Sequence, residues 1–442
     1  MPLVKLVAEG VGPFERLELD LSDGDGNPHL GPHILAGVNG SGKSTVLRAI
    51  GWVLDEGRRG FDHDQWKHFT SGHKRSRALL VFKAYDSTYL GACGYGIRRK
   101  AAAELRDWVS LEFPPYDLEG LAAERTGHHT YLYSRTVSQD RGGLWTEAAY
   151  APAMRLSHLA SPDLSKAIDD SSSNSMGFQT TVQNEEIQAW LLSLYSKRAI
   201  ARDRKQSEEG YARSLDRFER ALALVYDNDI RFEVEIEPRF EPRLRIRNQS
   251  LNFSQLPDGV KGTVGWIADF MMRQDVEYSS ANGKRPGILL LDEVDAHLHP
   301  LWQRRLLPAM REALPDVQII VTSHSPFVIS SCPGSRVHVF EVDEQGTAHS
   351  RPPVDSPVGE SVLTTLKDIF GVDSRFDIQT ERELDEWNGL KRDEVAGKIT
   401  NRQRERLIEL TRVLSERSEE LRSIVGGPTT IPESVLEALV NR

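Results

Sequence analysis

A glycine-rich stretch near the start of the sequence has the residue types and spacing of a phosphate-binding loop. The stretch GVNGSGKST, residues 37–45, fits the pattern G-x-x-x-x-G-K-[ST] between an apolar strand and an apolar helix. Glycines let backbone N–H groups curve around phosphates, the lysine brings a positive charge to the β- and γ-phosphates, and the serine hydroxyl can bind Mg²⁺. A plain glycine-rich turn would not need the Lys-Ser pair. The residues of this phosphate loop that we predict to contact ATP are Gly37, Asn39, Gly40, Ser41, Gly42, Lys43, Ser44 and Thr45.

Two adjacent carboxylates follow the most apolar short run of the sequence. The run ILLLDE, residues 288–293, predicts a strand that is buried on both faces and ends in Asp292 and Glu293. In phosphoryl transfer, one carboxylate at such a position holds Mg²⁺ and the other orients and polarises the attacking water. We therefore predict that Asp292 and Ser44 bind the metal and that Glu293 is catalytic. The alternative, two solvated surface charges, does not explain why a phosphate loop accompanies them.

A histidine follows a second apolar run. The segment TSHSP, residues 322–326, comes directly after this run and places His324 at the carboxyl edge of the predicted sheet, where open α/β sheets bind their ligands. We predict that His324 contacts the γ-phosphate, although a single histidine can also have a purely structural role.

Two further histidines lie close to an acidic residue. His297 and His299, near Asp295, could form part of a metal site. The sequence contains no second cluster of ligands for such a site. A turn that enters a helix at Pro300 explains the stretch better.

The segment SQLPDGVKG, residues 254–262, places a turn directly before an apolar helix. Apolar residues recur at helical spacing after it, so we expect a helix with one buried face to begin near Val260. The open amino terminus of such a helix can bind an anion, and Lys261 adds a positive charge. The local pattern alone also fits an ordinary junction between a loop and a helix.

These segments require a framework of alternating strands and helices, which is typical of a parallel α/β sheet. Strands are predicted within residues 3–22, at 34–36 and 79–84, at the two apolar runs, and in a hairpin over 337–350 with its turn at Asp343-Glu-Gln-Gly346. Alternating residues over 232–246 predict a small antiparallel meander. The predicted domains are an amino-terminal lobe (1–99), a mainly helical insertion (100–230), a carboxy-terminal lobe (231–350) and a helical tail (351–442).

Composition limits the classes of partner. Lys plus Arg number 55 and Asp plus Glu number 65, so the net charge of −10 excludes a globally basic coat for nucleic acid. The sequence contains only two cysteines, Cys93 and Cys332, which argues against a disulfide framework and favours a reducing compartment, the cytoplasm. No run of 18 apolar residues predicts a membrane span, and no signal peptide is recognisable.

Together, GVNGSGKST, ILLLDEVDAHLHP, TSHSP and SQLPDGVKG resemble the ABC-type ATPases of the SMC, RecF and Rad50 class. They are most similar to the compact AAA-domain ATPases of bacterial antiphage operons, including the ATPase subunits of Septu and retron systems. The resemblance implies an ATPase head with a mixed sheet and flanking helices, and a dimer that holds ATP between the phosphate loop of one head and the signature segment of the other. Residues 254–262 would be this signature segment.

The resemblance also assigns roles to single residues. The contacts to the partner's ATP would come from Asp258, Gly259, Lys261 and Asp295, and Gln65 would be the glutamine that senses Mg²⁺ and water. The chain departs from the family pattern at Pro257 and Val260, since relatives carry serine before the Asp-Gly pair and an acidic or amide residue after it. Proline has neither the hydroxyl nor the backbone N–H, so this departure predicts slow basal turnover.

The leading hypothesis is an ATP-hydrolysing subunit that regulates a separate effector, a nuclease, in antiphage defence. The chain itself shows no nuclease motif, since Glu341 and Asp343 fit the predicted hairpin. One alternative is a RecF-like DNA-repair ATPase that binds DNA through Arg98, Arg99, Lys100 and residues 202–205. Another is a nucleotide-gated scaffold with negligible turnover.

Overall fold

The computed structural model describes residues 2–55, 73, 76–84, 87–95, 101–112, 121–126, 129–134, 146–156, 179–182, 184–227, 230–237, 240–278 and 284–426. By its internal contacts the chain divides into two units, Met1–Phe370 and Gly371–Arg442. The predicted Gln65 and the basic residues Arg98, Arg99 and Lys100 lie outside the described residues.

The first unit contains strands and helices in a mixed order. Its strands are β1 (Leu3–Val11), β2 (Phe14–Asp20), β3 (His33–Gly37), β4 (Ser76–Ala84), β5 (Ser87–Tyr95), β6 (Leu121–Thr126), β7 (His129–Ser134), β8 (Thr146–Leu156), β9 (Gln179–Val182), β10 (Ile230–Glu235), β11 (Glu241–Ile246), β12 (Gln249–Asn252), β13 (Gly287–Leu291), β14 (Val317–Thr322), β15 (Arg336–Val342), β16 (Ala348–Ser350) and β17 (Val354–Asp355). Its helices are α1 (Lys43–Asp55), α2 (Ala101–Glu112), α3 (Asn184–Asp203), α4 (Glu209–Tyr226), α5 (Asp258–Glu277), α6 (Pro300–Ala313), α7 (Pro326–Ile329) and α8 (Val362–Phe370).

The central sheet carries the segments that the sequence singled out. Its order is β16-β15-β3-β14-β13-β8-β9, and β17 also pairs with β15. The six strands from β15 to β9 are parallel, whereas β16 and β17 run antiparallel to β15. This arrangement confirms the predicted parallel α/β sheet and the predicted hairpin. The carboxyl ends of β3, β13 and β14 therefore meet at one edge of the sheet.

Both faces of this sheet are buried, because the apolar strand residues alternate between two cores. Ile34 contributes to one core with α3, α4, α5 and α6, while Leu35 contributes to the other with α1 and the amino-terminal strands. Leu289 and Leu290 divide between the two cores in the same way. Burial on both faces explains why β13 and β14 appear as continuous apolar runs in the sequence.

Two smaller sheets complete the first unit. An antiparallel sheet of order β2-β1-β4-β5-β7-β6 contacts α1, which also contacts the central sheet, and the two sheets share one apolar core. The antiparallel sheet β10-β11-β12 is the predicted meander, in which Phe232 pairs with Leu244. The fold is thus the predicted α/β head with a mixed set of strands and flanking helices.

The region over 100–230 is more closely integrated than the term insertion suggests. Its helices α3 and α4 pack on the core of the central sheet, but β8 and β9 extend that sheet and β6 and β7 extend the antiparallel sheet. The sequence prediction described helices and loops here and missed these strands. TEAAYAPAMRL, the sequence of β8, is rich in alanine and contains a proline, so it lacks the β-branched alternation typical of a strand.

The described residues of the second unit form three helices: α9 (Ile378–Val395), α10 (Asn401–Arg417) and α11 (Glu419–Val425). The leucines that predicted a helix, Leu407, Leu410 and Leu414, are buried in a separate small core with Leu384 and Trp387. Across the described ranges of both units, none of the helices is long and apolar enough to cross a membrane.

Candidate nucleotide site

The phosphate loop connects β3 to α1, as its sequence context predicted. Gly40 and Gly42 have φ angles of +82° and +89°, in the left-handed region that favours glycine. A Cβ atom on Gly42 would also lie 2.4 Å from the ring of Phe14. Asn39 and Gly40 are exposed at the tip of the loop, whereas Ser41 and Lys43 are buried below it. The loop therefore presents its backbone outward and keeps its charged side chain inside.

Lys43 lies across the inside of this loop. Its Nζ donates hydrogen bonds to the backbone oxygens of Gly37 (3.0 Å) and Val38 (2.8 Å). Burial lowers the pKa of Lys43, and the carboxylates of Asp292 and Glu293 act in the opposite direction. The Ser41 hydroxyl is buried and finds no hydrogen-bond partner among the described residues. An anion bound in the loop would accept a hydrogen bond from the Ser41 hydroxyl, and it would pair with the Lys43 ammonium more strongly than the two carbonyl oxygens do.

Asp292 brings the end of β13 to the phosphate loop. Its Oδ1 accepts hydrogen bonds from Ser44 Oγ and from Thr322 Oγ1, both at 2.7 Å. Hydroxyl and carboxylate oxygens are the ligands that Mg²⁺ prefers, so the Ser44–Asp292 pair fits the predicted metal role. Among the described residues, no group of three or more His, Cys, Asp or Glu side chains could hold a metal ion.

Glu293 follows Asp292 in a strained turn. Its φ is +47°, an unusual angle for a residue other than glycine and one that recurs at functional sites. The backbone N–H of Glu293 donates to Thr322 Oγ1 at 2.6 Å, which holds the turn in place. Burial raises the pKa of Glu293, as do the charges of Asp292 and Asp295, while Lys43 lowers it. The side chain is an exposed carboxylate just beyond the end of β13.

Thr322 was not predicted as a site residue. Its hydroxyl donates to Asp292 and accepts from the Glu293 backbone, so it joins two strand ends. Its place as the last residue of β14, immediately before Ser-His, is the sequence signal that could have indicated it.

His324 and Asp295 belong to the same electrostatic cluster. Burial and the charge of Lys43 lower the pKa of His324, and Asp295 and Asp292 act in the opposite direction. His324 therefore favours the neutral imidazole. Asp295 Oδ1 is buried and has no hydrogen-bond partner among the described residues.

His299 lies at the entry to a helix. Its Nδ1 accepts a hydrogen bond from the backbone N–H of Leu301 at 3.3 Å and caps the amino terminus of α6, as the interpretation of a helix-entry turn predicted.

The signature segment forms the start of α5, which begins at Asp258, two residues before the predicted position. Asp258 is 89% exposed, and its Oδ1 lies 3.9 Å from Lys261 Nζ. Gly259 packs against the backbone of His297, since a Cβ there would lie 2.2 Å from the His297 carbonyl oxygen. The predicted contact with a partner's nucleotide remains a prediction.

Residues 146–330 match the family model described as "AAA domain, putative AbiEii toxin, Type IV TA system". The chain is 23% identical to the Septu protein PtuA of Bacillus thuringiensis over 84% of both chains. It is 22% identical to the retron Vc95 probable ATPase of Vibrio cholerae serotype O1 biovar El Tor, over 75% of this chain and 73% of that protein. The chain resembles the Septu protein PtuA and the probable ATPases of retrons. The resemblance to ABC-type antiphage ATPases predicted from the motifs is thereby confirmed.

The likeness to the retron ATPases includes a short, more similar stretch. The retron Ec83 probable ATPase of Escherichia coli is 40% identical over 85 residues, which cover 18% of this chain and 15% of that protein. Among solved structures, the SMC head domain from Thermotoga maritima aligns with 80% of this chain and 99% of its own, at 17% identity and a TM-score of 0.42. The family match over 146–330 includes the signature segment, Asp292, Glu293 and His324, whereas the phosphate loop lies before it.

Proposed function

We propose that this chain binds and hydrolyses MgATP as the ATPase subunit of an antiphage system related to Septu and retrons. The observation that carries the proposal is that the ends of β13 and β14 meet the first turn of α1 at Asp292, where the hydroxyls of Ser44 and Thr322 converge. This arrangement joins the phosphate loop to the catalytic carboxylate Glu293. The named relatives support the same conclusion, since two are described as probable ATPases.

The phosphate loop would bind the triphosphate of ATP. Backbone N–H groups around Gly40 and Gly42 would cradle the phosphates, and Lys43 would leave its two carbonyl partners to contact the β- and γ-phosphates. The unpartnered Ser41 hydroxyl lies inside the same loop and can donate to a phosphate oxygen.

Ser44 and Asp292 would hold Mg²⁺, which neutralises the charge of the phosphates when it is bound. Glu293 would accept a hydrogen bond from water and orient it for attack on the γ-phosphate. His324, in its neutral form, would donate to the γ-phosphate from the end of β14. The turn at Glu293, whose backbone N–H is held by Thr322 Oγ1, would direct this carboxylate toward the site, and correct positioning of the water favours in-line attack.

A second copy of the chain would complete the site. Asp258 and Lys261 sit at the exposed start of α5, and this helix terminus favours an anion such as the γ-phosphate of the partner's ATP. Gly259 and Asp295 complete the surface that we propose faces the partner. The dimer is the minimal active unit in this proposal.

The ATP-bound dimer would regulate a separate nuclease effector. The alternative of direct DNA binding has less support, because Arg202 in the predicted basic run pairs with Glu208 of the same chain. The alternative of a scaffold with negligible turnover differs from the main proposal in one measurable quantity, the rate of hydrolysis.

The test is phosphate release from MgATP by the purified chain and two variants. We expect Lys43→Ala to abolish ATP binding, because it removes the positive charge inside the loop. We expect Glu293→Gln to retain ATP, to accumulate a dimer by light scattering, and to lower kcat by about a hundredfold or more, because the amide cannot polarise water.

Two surface variants serve as matched controls. Lys391→Ala and Glu341→Gln make the same chemical changes at exposed residues that pair with Glu394 and Arg351. Both should hydrolyse ATP at the wild-type rate. Wild-type turnover in Glu293→Gln would refute the assigned role, and measurable binding with no turnover in the wild-type chain would favour the scaffold.

A further inference from the structure

A group of three buried polar side chains lies between β8 and α5, outside the nucleotide site. Tyr150 is on β8, whereas Asp269 and Arg273 are on α5, and each is less than 5% exposed. Tyr150 Oη donates to Asp269 Oδ2 at 2.5 Å, and Arg273 Nε donates to the same oxygen at 2.7 Å. These hydrogen bonds tie the middle of α5 to a strand of the central sheet.

Packing alone does not explain this group. Its neighbours form the large apolar core on that face of the sheet, where well-packed apolar side chains are often at least as stabilising as a buried ion pair. Burial raises the pKa of Tyr150 well above its usual value, and the charge of Asp269 adds to this, so the hydroxyl remains a donor. Directional hydrogen bonds fix the relative position of helix and strand more strictly than apolar contacts do.

The backbone of Tyr150 contacts the catalytic edge. Tyr150 pairs in register with Leu291 of β13, and its carbonyl oxygen accepts a hydrogen bond from the backbone N–H of Asp292 at 3.0 Å. One residue therefore holds α5 by its side chain and the Asp292–Glu293 backbone by its main chain. No other described residue has both of these hydrogen bonds.

A second contact fastens α5 at its amino terminus. Gly259 lies against the His297 carbonyl, closely enough that a Cβ atom would be 2.2 Å away. Between this contact and Asp269, which lies about 15 Å further along the helix, is a small cavity of about 40 Å³. Residues of α5, including Trp266, line it together with Glu293 and Tyr150. The start of α5 and the Glu293 turn therefore face each other across this cavity.

We propose that Tyr150 is a positioning residue that couples the signature helix α5 to Glu293 within one chain. The proposal rests on the proposed function and adds a means of regulating it. When an anion binds at Lys261, α5 moves as a rigid body, and the Tyr150–Asp269 hydrogen bond carries this movement to the Asp292–Glu293 backbone. Hydrolysis in one site thereby depends on whether the same chain's signature helix is engaged with a partner's nucleotide.

The first test separates turnover from binding in Tyr150→Phe. We expect kcat to fall about tenfold with KM unchanged, because the variant loses the side-chain hydrogen bond that ties α5 to Tyr150 and none that contacts ATP. Tyr278→Phe is the matched control, since Tyr278 at the end of α5 also donates one buried hydrogen bond, to the Pro286 carbonyl at 2.7 Å. This control should lower the melting temperature by a similar amount and leave kcat unchanged.

A double-mutant cycle tests the coupling itself. Lys261→Ala should lower kcat in the wild-type background but have little further effect in Tyr150→Phe, because both changes interrupt the same route. Additive losses, or equal kcat in Tyr150→Phe and Tyr278→Phe, would overturn the proposal. Loss of turnover in Glu293→Gln in the same assay shows that the proposed function holds independently.

A measurement without turnover distinguishes the two proposals. With the non-hydrolysable β,γ-imido analogue of ATP and Mg²⁺, hydrogen exchange should slow at the start of α5 and at residues 292–298 in the wild-type chain. In Tyr150→Phe, we expect the effect at α5 to persist and the effect at 292–298 to be lost. Retention of both effects in the variant would overturn the coupling even if the chain had no ATPase activity.

Discussion

At the scale of single residues, Gly259 of the predicted signature segment has a packing role within its own chain. We predict that Gly259→Ala destabilises the protein by about 1–3 kcal/mol, because a Cβ 2.2 Å from the His297 carbonyl forces the backbone apart. Chemical denaturation of the variant and the wild-type chain measures this change. Since His297 itself has a φ of +61°, its loop has little freedom to yield.

Gly210 is a matched control for this substitution. Like Gly259, it is the second residue of a helix, but a Cβ there meets nothing within 4 Å. We expect Gly210→Ala to be neutral or to stabilise by up to about 1 kcal/mol. Equal effects at the two glycines would mean that the contact with His297 does not constrain α5.

Some of the residues that we assign to the site were recognisable in the sequence and others were not, for a physical reason. Ser44 and Asp292 were recognisable because each belongs to a local pattern, a glycine-rich loop or an apolar strand with acids at its end. Thr322 and Tyr150 act through partners on neighbouring strands. Which strands become neighbours depends on the order of the sheet, and local periodicity does not contain that order.

At the scale of secondary-structure elements, β3 and β15 are joined by a buried pair of histidines. His33 Nδ1 and His338 Nε2 are 3.0 Å apart, and the rings are stacked. Burial lowers the pKa of His338 to about 4, and burial with the neighbouring His338 lowers that of His33 well below its usual value. Both imidazoles are therefore neutral in the folded protein near neutral pH.

We predict that this pair makes the protein less stable in mild acid. Between the unfolded pKa of about 6.5 and the folded pKa of about 4, the unfolded chain binds more protons, so the stability present above pH 6.5 is lost as pH falls. From about pH 7 to pH 5, His338 alone should account for about 2 kcal/mol. Urea unfolding measures the free energy of unfolding at the two pH values. In His338→Gln, its decrease from about pH 7 to pH 5 should be smaller than in the wild-type chain by this amount. The same pH dependence in the variant would contradict the prediction.

The strands β8 and β13 show how far elements could be predicted. Four consecutive apolar residues followed by two acids made β13 recognisable. The neighbouring strand β8 contains Pro152. This residue lies between Tyr150 and Arg155, where the pairing of β8 with β9 shifts register, so the missing backbone N–H is tolerated there. Packing against α5 and β13 stabilises this strand, so its own residues give little local signal.

At the scale of the whole molecule, all of the described residues that we assign to the nucleotide site belong to the first unit. We therefore predict that a chain ending at residue 370 binds the β,γ-imido analogue of ATP within about twofold of the full chain's Kd, which corresponds to about 0.4 kcal/mol. Titration calorimetry on both chains makes the comparison. A truncated chain that is folded by circular dichroism but does not bind the analogue would show that the second unit contributes to the site.

The position of β3 in the central sheet has a consequence for biosynthesis. This early strand, His33–Gly37, lies between β14 and β15, which are made only when the ribosome has reached residues 317–342. Until then both of its edges lack their final partners, and an unpaired apolar strand is prone to aggregate. The phosphate loop is thus translated among the first segments but gains its supporting neighbours among the last. Premature termination before β14 would yield chains with a complete phosphate-loop sequence and no folded site, which chaperones must hold or proteases remove.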